Sequence, residues 1–144
     1  MATDNAEHQN ITTPPILAPS DAANTPIVIH CDGAGCGPNN HGSGIAWIQP
    51  ITRQQYIERI DGLTNNQAEY QAFISALRAL PDRSVAQIYT DSQLMWSHFT
   101  GKYRVYNPEL LELLSQVRTL IKEKNLTIDL QWIRREKNIA GKLL

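Results

Sequence analysis

The sequence has few cysteines, no long apolar run and almost no net charge. Its two cysteines, Cys31 and Cys36, are too few for a disulfide framework and lack the companion ligands of a zinc site. No apolar run approaches the roughly 18 residues of a membrane span, and the N-terminus lacks the basic segment and apolar core of a signal peptide. We therefore expect a cytoplasmic protein with reduced thiols and no membrane association.

The formal net charge of −1 provides no general electrostatic attraction to nucleic acid. Any nucleic-acid binding must come from a local basic patch or from metal ions.

The 144 residues are 42% hydrophobic and 19% charged, which is typical of one globular domain. Residues 1–25 are rich in Ala, Thr, Asn, Asp and Pro without periodicity and are predicted to form a disordered tail. Residues 26–144 are predicted to form the domain.

Two apolar runs, each typical of a buried strand, end on an aspartate. The run that starts at Ile27 ends at Asp32 and continues into glycines, and residues 84–90 lead directly to Asp91. The glycines after Asp32 leave the backbone open to the close approach of a ligand, although an Asp-Gly pair can also simply open a turn. Between the two runs, residues 44–51 and 55–63 alternate as an antiparallel pair does.

A helix is predicted between this pair and the second aspartate. Thr64, Asn65 and Asn66 are good N-cap residues, and apolar residues follow at helical spacing until Pro81. Glu69 lies in line with the apolar stripe, one turn from the start. It either belongs to a site or is a first-turn glutamate that faces water and is favoured by the helix dipole.

The topology predicts that Asp32, Glu69 and Asp91 converge. Two strands joined through a helical crossover are parallel neighbours, and their C-terminal ends share the edge where open α/β sheets place their sites. Three carboxylates close together repel one another unless divalent cations lie among them. Ligands that offer only oxygen suit Mg²⁺ or Mn²⁺ rather than zinc.

Three motifs, in this order and spacing, resemble those of the type 1 ribonuclease H family. They are Asp32-Gly33, the segment from Thr64 to Glu69 that reads Thr-Asn-Asn-Gln-Ala-Glu, and Asp91-Ser92. The resemblance covers residues 26 to about 140 and implies an α/β ribonuclease H fold, with a mixed five-stranded sheet flanked by helices. Residues 101–107 lead directly into a predicted helix over 108–124, and a fifth strand is predicted over 127–132. This arrangement resembles the compact branch of the family, which lacks a basic protruding helix.

The activity that the resemblance implies is endonucleolytic hydrolysis of the RNA strand of RNA–DNA hybrids. Two Mg²⁺ or Mn²⁺ ions serve as cofactors in that scheme: one activates a water molecule, the other stabilises the leaving 3′ oxygen, and the products carry 5′-phosphates. The implied partner is the hybrid, and we expect a monomer with no obligate protein partner. Two alternatives are a catalytically weakened hybrid-binding module with the same fold and a structural domain with no nucleic-acid role.

The chain departs from the family near its C-terminal end. The usual fourth carboxylate comes four residues after Asn138, where this chain has Lys142, and no Asp or Glu follows Asn138. The nearest oxygen donors are Asn138 and Glu136. The carbonyl of Asn138 can act as a weak metal ligand, as a helix N-cap, or as both.

The resemblance and the chemistry of the residues together assign two roles. The catalytic and metal-binding residues are Asp32, Glu69, Asp91 and Asn138. The substrate-binding residues are Gly33, Cys36, Asn39, Thr64, Asn65, Asn66, Gln67, Lys102, Arg134 and Arg135.

Several of these assignments have alternatives. Arg134 and Arg135 bind phosphate or form a solvated strand end, and Lys102 contacts the DNA strand together with Trp96 unless that ring belongs to the core. His30 and His98 are interpreted as packing residues, as are most histidines without companion ligands.

Overall fold

The structure is a computed structural model that describes residues 13–18, 25–36 and 42–144. Five strands form one sheet in the order β3-β2-β1-β4-β5. The antiparallel pairs are β1 with β2 and β2 with β3, and the parallel pairs are β1 with β4 and β4 with β5. The prediction of a mixed five-stranded sheet is confirmed. The strands are β1 (Ile27–Ala34), β2 (Gly44–Ile48), β3 (Gln55–Arg59), β4 (Val85–Thr90) and β5 (Thr127–Trp132).

In the described residues, three α-helices connect or flank the strands: α1 (Asn65–Ala79), α2 (Gln93–Phe99) and α3 (Pro108–Glu123). Two short 3₁₀ turns, Arg135–Lys137 and Ile139–Leu143, follow β5. Within the part of the chain that the structure describes, none of the helices has the length and apolar character needed to cross a membrane.

A reciprocal capping box starts α1. The side chain of Thr64 accepts a hydrogen bond from the backbone N–H of Gln67, and the side chain of Gln67 accepts one from the backbone N–H of Thr64. These bonds satisfy donors that a helix N-terminus otherwise leaves unpaired. The side chains of both residues are therefore engaged in forming the helix.

The core lies between one face of the sheet and the helices α1 and α3. Every second residue of β1, including Ile29 and Cys31, is fully buried against α1, as the period of a strand requires. Trp47 of β2 is also fully buried, and its indole N–H donates to the hydroxyl of Ser75 on α1. Large buried side chains of this kind each contribute roughly 1.5–3 kcal/mol of transfer free energy.

The strand ends differ from the sequence-based boundaries. β1 continues past Asp32 to Ala34, because Ala34 still pairs with Gly44 of β2. β2 ends at Ile48 rather than residue 51, because the chain turns there and Arg53 adopts a φ of 66°. β3 likewise ends at Arg59 rather than residue 63.

Residues 13–18 lie within the predicted disordered tail, yet they pack against the domain. Leu17 is 1% exposed, and its backbone N–H donates to the carbonyl of Ala79 at 2.6 Å. For this short segment the structure differs from the prediction, because one buried leucine stabilises it without any periodic pattern. Most of the predicted tail lies outside the described residues.

Gly33 and Gly35 allow a helix to approach the strand closely. A Cβ atom on Gly33 would lie 2.2 Å from the carbonyl carbon of Ala68, and one on Gly35 would lie 2.3 Å from the backbone nitrogen of Asn65. Both contacts involve backbone atoms of α1 or its first residue, which cannot rotate away. Close packing against α1 is therefore a reason for glycine at these positions that the sequence did not indicate, beside the predicted approach of a ligand.

We expect Gly33→Ala to lower the free energy of unfolding by about 3 kcal/mol or more, because β1 and α1 must move apart. Urea denaturation measures this change. A suitable comparison is Gly101→Ala, since Gly101 has open space around it and a φ of 84°; that variant should lose only about 1 kcal/mol. Equal losses in the two variants would contradict the steric explanation.

Candidate metal centre

Three carboxylates from distant parts of the chain meet at one edge of the sheet. Asp32 lies in β1, Glu69 in α1 and Asp91 directly after β4, and one oxygen atom of each lies within 4.8 Å of the other two. It is the one group of three or more such side chains this close together in residues 13–18, 25–36 and 42–144. The structure thus brings together the three residues whose convergence the sequence predicts.

The register of the parallel strands places the two aspartates side by side. His30 of β1 pairs with Tyr89 of β4, so Asp32 and Asp91 each lie two residues beyond the same rung. Glu69 reaches them from α1: it is only 9% exposed, and its Oε1 accepts a hydrogen bond from the backbone N–H of Gly33 at 3.2 Å. The alternative of a first-turn glutamate facing water does not fit this burial.

Burial and mutual repulsion disfavour the ionised forms of Asp32 and Glu69. Burial, followed by the negative charge of Asp91, raises the pKa of Asp32 to about 6. Burial, followed by the charges of Asp32 and Asp91, raises the pKa of Glu69 to about 9. The hydrogen bond from Gly33 acts in the opposite direction and does not outweigh these effects. A hard divalent cation would favour the ionised forms, and this donor set of three carboxylates fits Mg²⁺ or Mn²⁺.

The carboxylates line a cavity of 730 Å³. Other predicted site residues that line it are Gly33, Asn65, Asn66, Arg135 and Asn138. The cavity lining also includes residues that were not predicted as site residues: Ala34, Ser92, Gln93, Leu94, Gly141, Lys142 and Leu144. Of these, only Ser92 stood in a quoted motif. Gly141, Lys142 and Leu144 carry no local sequence signal, because their placement depends on how the last turn docks on the sheet.

Asn138 is 1% exposed, and its side chain has fixed partners. Its amide nitrogen donates to the carbonyl of Cys31 at 2.9 Å and to Oδ2 of Asp91 at 3.2 Å. Its oxygen accepts from the backbone N–H of Ala140 at 3.1 Å, as an N-cap does. Two acceptors face the nitrogen and one donor faces the oxygen, which determines the orientation of the amide. These bonds fit the alternative in which Asn138 is an N-cap. The side-chain NH₂ group of Asn138 faces Asp91, whereas a metal ligand would need the carbonyl oxygen there.

Gly141, rather than Lys142, is the residue directly beside Asp32. A Cβ atom on Gly141 would lie 3.0 Å from Oδ2 of Asp32. Counting four residues from Asn138 gives Lys142, but the last turn is a 3₁₀ helix, which has fewer residues per turn than an α-helix. The position from which a side chain would enter the carboxylate cluster is therefore occupied by glycine, and Lys142 follows it along the wall of the same cavity.

The other predicted substrate residues that the structure describes do not line this cavity. Thr64 and Gln67 form the capping box, and the amide of Gln67 also donates to Oε1 of Glu109 at 3.3 Å. The backbone N–H of Cys36 donates to the carbonyl of Leu63, and Arg134 is exposed ahead of the first 3₁₀ turn. Glu136, the alternative oxygen donor, is exposed as well. Asn39 lies outside the described residues.

Lys102 lies in a neighbouring groove of 620 Å³, which shares Asn66 and Leu94 with the carboxylate cavity. Its Nζ is 5.2 Å from the centroid of the Trp96 ring, which is half-buried and donates to the carbonyl of Leu130. Trp96 thus packs against the core and supports the lysine. The groove also contains Tyr103, Arg104 and Tyr106.

The two histidines of the described chain that were interpreted as packing residues are hydrogen-bonded within the fold. Nδ1 of His98 lies 2.8 Å from the hydroxyl of Tyr70, and Nδ1 of His30 accepts from the backbone N–H of Ile139. Neither belongs to the carboxylate cluster.

Comparison with known sequences gives a family match and several relatives. The family model described as RNase H matches residues 24–141. The bifunctional protein Rv2228c of Mycobacterium tuberculosis is 29% identical over 118 residues, which are 78% of this chain and 32% of that protein. The chain therefore spans about a third of the length of that relative. A ribonuclease H of Cupriavidus pinatubonensis is 37% identical over 68 residues, 46% of this chain and 47% of that protein.

Solved structures with the same fold include three that cover most of this chain. RNase H1 from the archaeon Halobacterium salinarum has a TM-score of 0.70 at 26% identity and covers 83% of this chain and 94% of its own. LC11-RNase H1, solved in complex with an RNA/DNA hybrid, has a TM-score of 0.70 at 28% identity, with coverage of 81% and 91%. The N-terminal RNase H domain of Rv2228c has a TM-score of 0.66 at 23% identity, with coverage of 81% and 90%, and supports the fold alone.

The raised pKa values predict how stability depends on pH. Acids whose pKa is higher in the folded state stabilise it fully below their ordinary values, and this stability is lost as the pH rises through about 6 for Asp32 and about 9 for Glu69. In EDTA the melting temperature should therefore fall between pH 5 and pH 9, and Mg²⁺ should raise it more at pH 8 than at pH 5. Glu69→Gln should flatten the pH dependence. A Mg²⁺ effect that is the same at both pH values would contradict a metal centre at these carboxylates.

Substitutions of Asn138 separate its cap from its contact with Asp91. Asn138→Ala should lose about 1 kcal/mol or more of stability and should bind Mn²⁺ more weakly, because Asp91 loses a hydrogen-bond donor. Asn138→Ser restores an N-cap without the amide group, so we expect it to recover part of the stability but not the Mn²⁺ affinity. Thermal melts and calorimetric Mn²⁺ titrations measure the two effects. If Asn138→Ser recovers both the stability and the Mn²⁺ affinity in full, Asn138 acts only as an N-cap.

Proposed function

This chain belongs to the ribonuclease H family, and we propose that it hydrolyses the RNA strand of RNA–DNA hybrids at the cavity lined by Asp32, Glu69 and Asp91. The observation that carries the proposal is the meeting of these three acids within 4.8 Å at the end of two parallel strands. A structural domain would gain nothing from burying like charges together, and such perturbed acids in a cleft are typical of functional sites. The hybrid bound to LC11-RNase H1, which shares the fold, supports the choice of substrate.

The carboxylates would hold the ions, and the remaining groups would position the substrate. Two Mg²⁺ or Mn²⁺ ions, when bound, supply the positive charge that activates the attacking water and stabilises the leaving 3′ oxygen, which leaves 5′-phosphate products. By the family motif, Asp32 would help to hold both ions, and Glu69 and Asp91 would help to hold the ion that serves the leaving group. Asn138 is a positioning residue in this proposal, because its side-chain NH₂ group donates a hydrogen bond to the carboxylate of Asp91 and so orients it.

Substrate recognition would begin at the first turn of α1. Asn65 and Asn66 line the cavity, and Oδ1 of Asn65 accepts from the backbone N–H of Gly35 at 2.8 Å, which leaves its NH₂ group to donate. Amide groups at this point suit the 2′-hydroxyls and minor-groove base edges that distinguish RNA from DNA. The aromatic and basic groove around Lys102 would hold the backbone of the DNA strand.

The second candidate is a hybrid-binding module with weakened chemistry. The observation in its favour is the glycine beside Asp32, where a side chain would otherwise enter the carboxylate cluster. Incubating a labelled hybrid with the protein, first in Mg²⁺ and then in Mn²⁺, distinguishes the two candidates. Binding without cleavage in either metal would favour the module.

We expect Asp32→Asn to abolish cleavage while keeping or raising thermal stability, because it removes repulsion among the three acids. The loss should exceed tenfold, since metal stabilisation of the transition state is worth several kcal/mol. Asp61→Asn is the matched control, because Asp61 is an exposed aspartate that does not line the cavity. Retention of more than about a tenth of the activity in Asp32→Asn would exclude its role at both ions.

A further inference from the structure

The carboxylate cavity also contains a lysine that the proposed reaction has not used. Lys142 lines the cavity together with Asp32, Glu69 and Asp91, and it is exposed to solvent. It lies one residue beyond the part of the chain that the family model matches. We propose that Lys142 binds a phosphate of the RNA–DNA hybrid at this cavity; the inference rests on the proposed function and adds a substrate-binding residue to it.

The backbone that carries Lys142 is firmly attached to the sheet. Ala140 is fully buried, and Asn138 bonds to the carbonyl of Cys31 and to Asp91. Gly141 lies so close to Asp32 that even a Cβ atom would reach 3.0 Å from the carboxylate. The lysine therefore projects from a fixed turn at the edge of the cavity, and little ordering of the backbone opposes binding at this point.

Among the residues that the structure describes, no carboxylate forms an ion pair within 4.0 Å of the ammonium group of Lys142. Lys142 lies near three acids without pairing to any of them, so its donors remain available to an anion. A phosphate that enters the cavity is repelled by these acids, and a cation on the cavity wall offsets part of that repulsion.

The missing carboxylate at position 141 gives the positive charge of Lys142 a role in this cavity. Glycine at position 141 adds no carboxylate to the cluster, so the cavity has less negative charge to hold ions than a four-acid site would have. Arg135, which lines the same cavity, lowers the pKa of Asp32 through its positive charge, although burial and Asp91 outweigh this effect. A second protein cation at Lys142 can hold a phosphate before any divalent ion is bound, which a site that relies on ions alone cannot do.

The test measures hybrid affinity without divalent metal. Lys142→Gln keeps most of the side-chain length and removes the charge, and Lys142→Arg keeps the charge. With the full chain in EDTA, fluorescence anisotropy should show about fivefold to tenfold weaker binding of a labelled hybrid by Lys142→Gln at low salt, and a salt slope smaller by about one. Lys142→Arg should bind within about twofold of the wild type.

The matched control is Lys122→Gln, because Lys122 is an exposed lysine at the end of α3 that does not line the cavity. Its affinity and salt slope should equal those of the wild type. A second measurement is Mn²⁺ binding to the free protein: loss of the Lys142 cation should tighten it by about threefold, because a repelling charge near the acids is removed. A lysine that is only part of the solvated surface would change neither quantity.

The outcomes separate this inference from the proposed function. If the wild type binds and cuts hybrids but Lys142→Gln matches it in metal-free affinity and salt slope, the role of Lys142 is overturned and the proposed function stands. If the wild type neither binds nor cuts hybrids, the proposed function fails and this inference fails with it. Melting temperatures confirm folding of each variant, and Lys142→Ala replaces Lys142→Gln if the latter does not fold.

Discussion

The close contact between β1 and α1 is the constraint on which the rest of this structure depends. Gly33 lies so near Ala68 that no side chain fits between strand and helix. This approach lets the backbone N–H of Gly33 donate to Glu69, and it brings that buried acid to Asp32. A wider spacing would remove the hydrogen bond and separate the acids. The same contact thus sets both the packing of the core helix and the geometry of the candidate metal centre.

The fold holds together an arrangement that is electrostatically unfavourable in the absence of cations. Buried like charges raise the pKa values of Asp32 and Glu69, so part of the stability of the domain depends on protons or cations at this edge. The packing of α1 and α3 on the sheet must offset that cost. Functional sites commonly retain such locally unfavourable groups, because a cation-binding site needs charge in place before the cation arrives.

The C-terminal turn, Ile139–Leu143, determines which residues complete the cavity beside the three acids. Asn138 attaches the turn to β1 and to Asp91, and the turn then places Gly141 and Lys142 at the cavity. The resulting site combines three acids with two cations, Arg135 and Lys142. The two cations offset part of the repulsion that the acids would exert on a phosphate, in a protein whose formal net charge is only −1. The proposed binding of a nucleic acid therefore depends on local charges and bound metal ions rather than on the overall charge of the protein.

The sequence by itself determined the elements and the three acids, because strand alternation, helix caps and a carboxylate at the end of an apolar run are local signals. It also indicated which strands are parallel, and with that the edge where Asp32 and Asp91 meet. Only the tertiary structure decided the orientation of the Asn138 amide, whose partner Cys31 lies 107 residues away, and the burial of Leu17 against Ala79. It alone showed that the glycines after Asp32 admit a helix, that Thr64 and Gln67 cap that helix, and that Gly141 rather than Lys142 lies beside Asp32. These features depend on contacts between segments far apart in the chain, and such contacts leave no periodic pattern in the sequence.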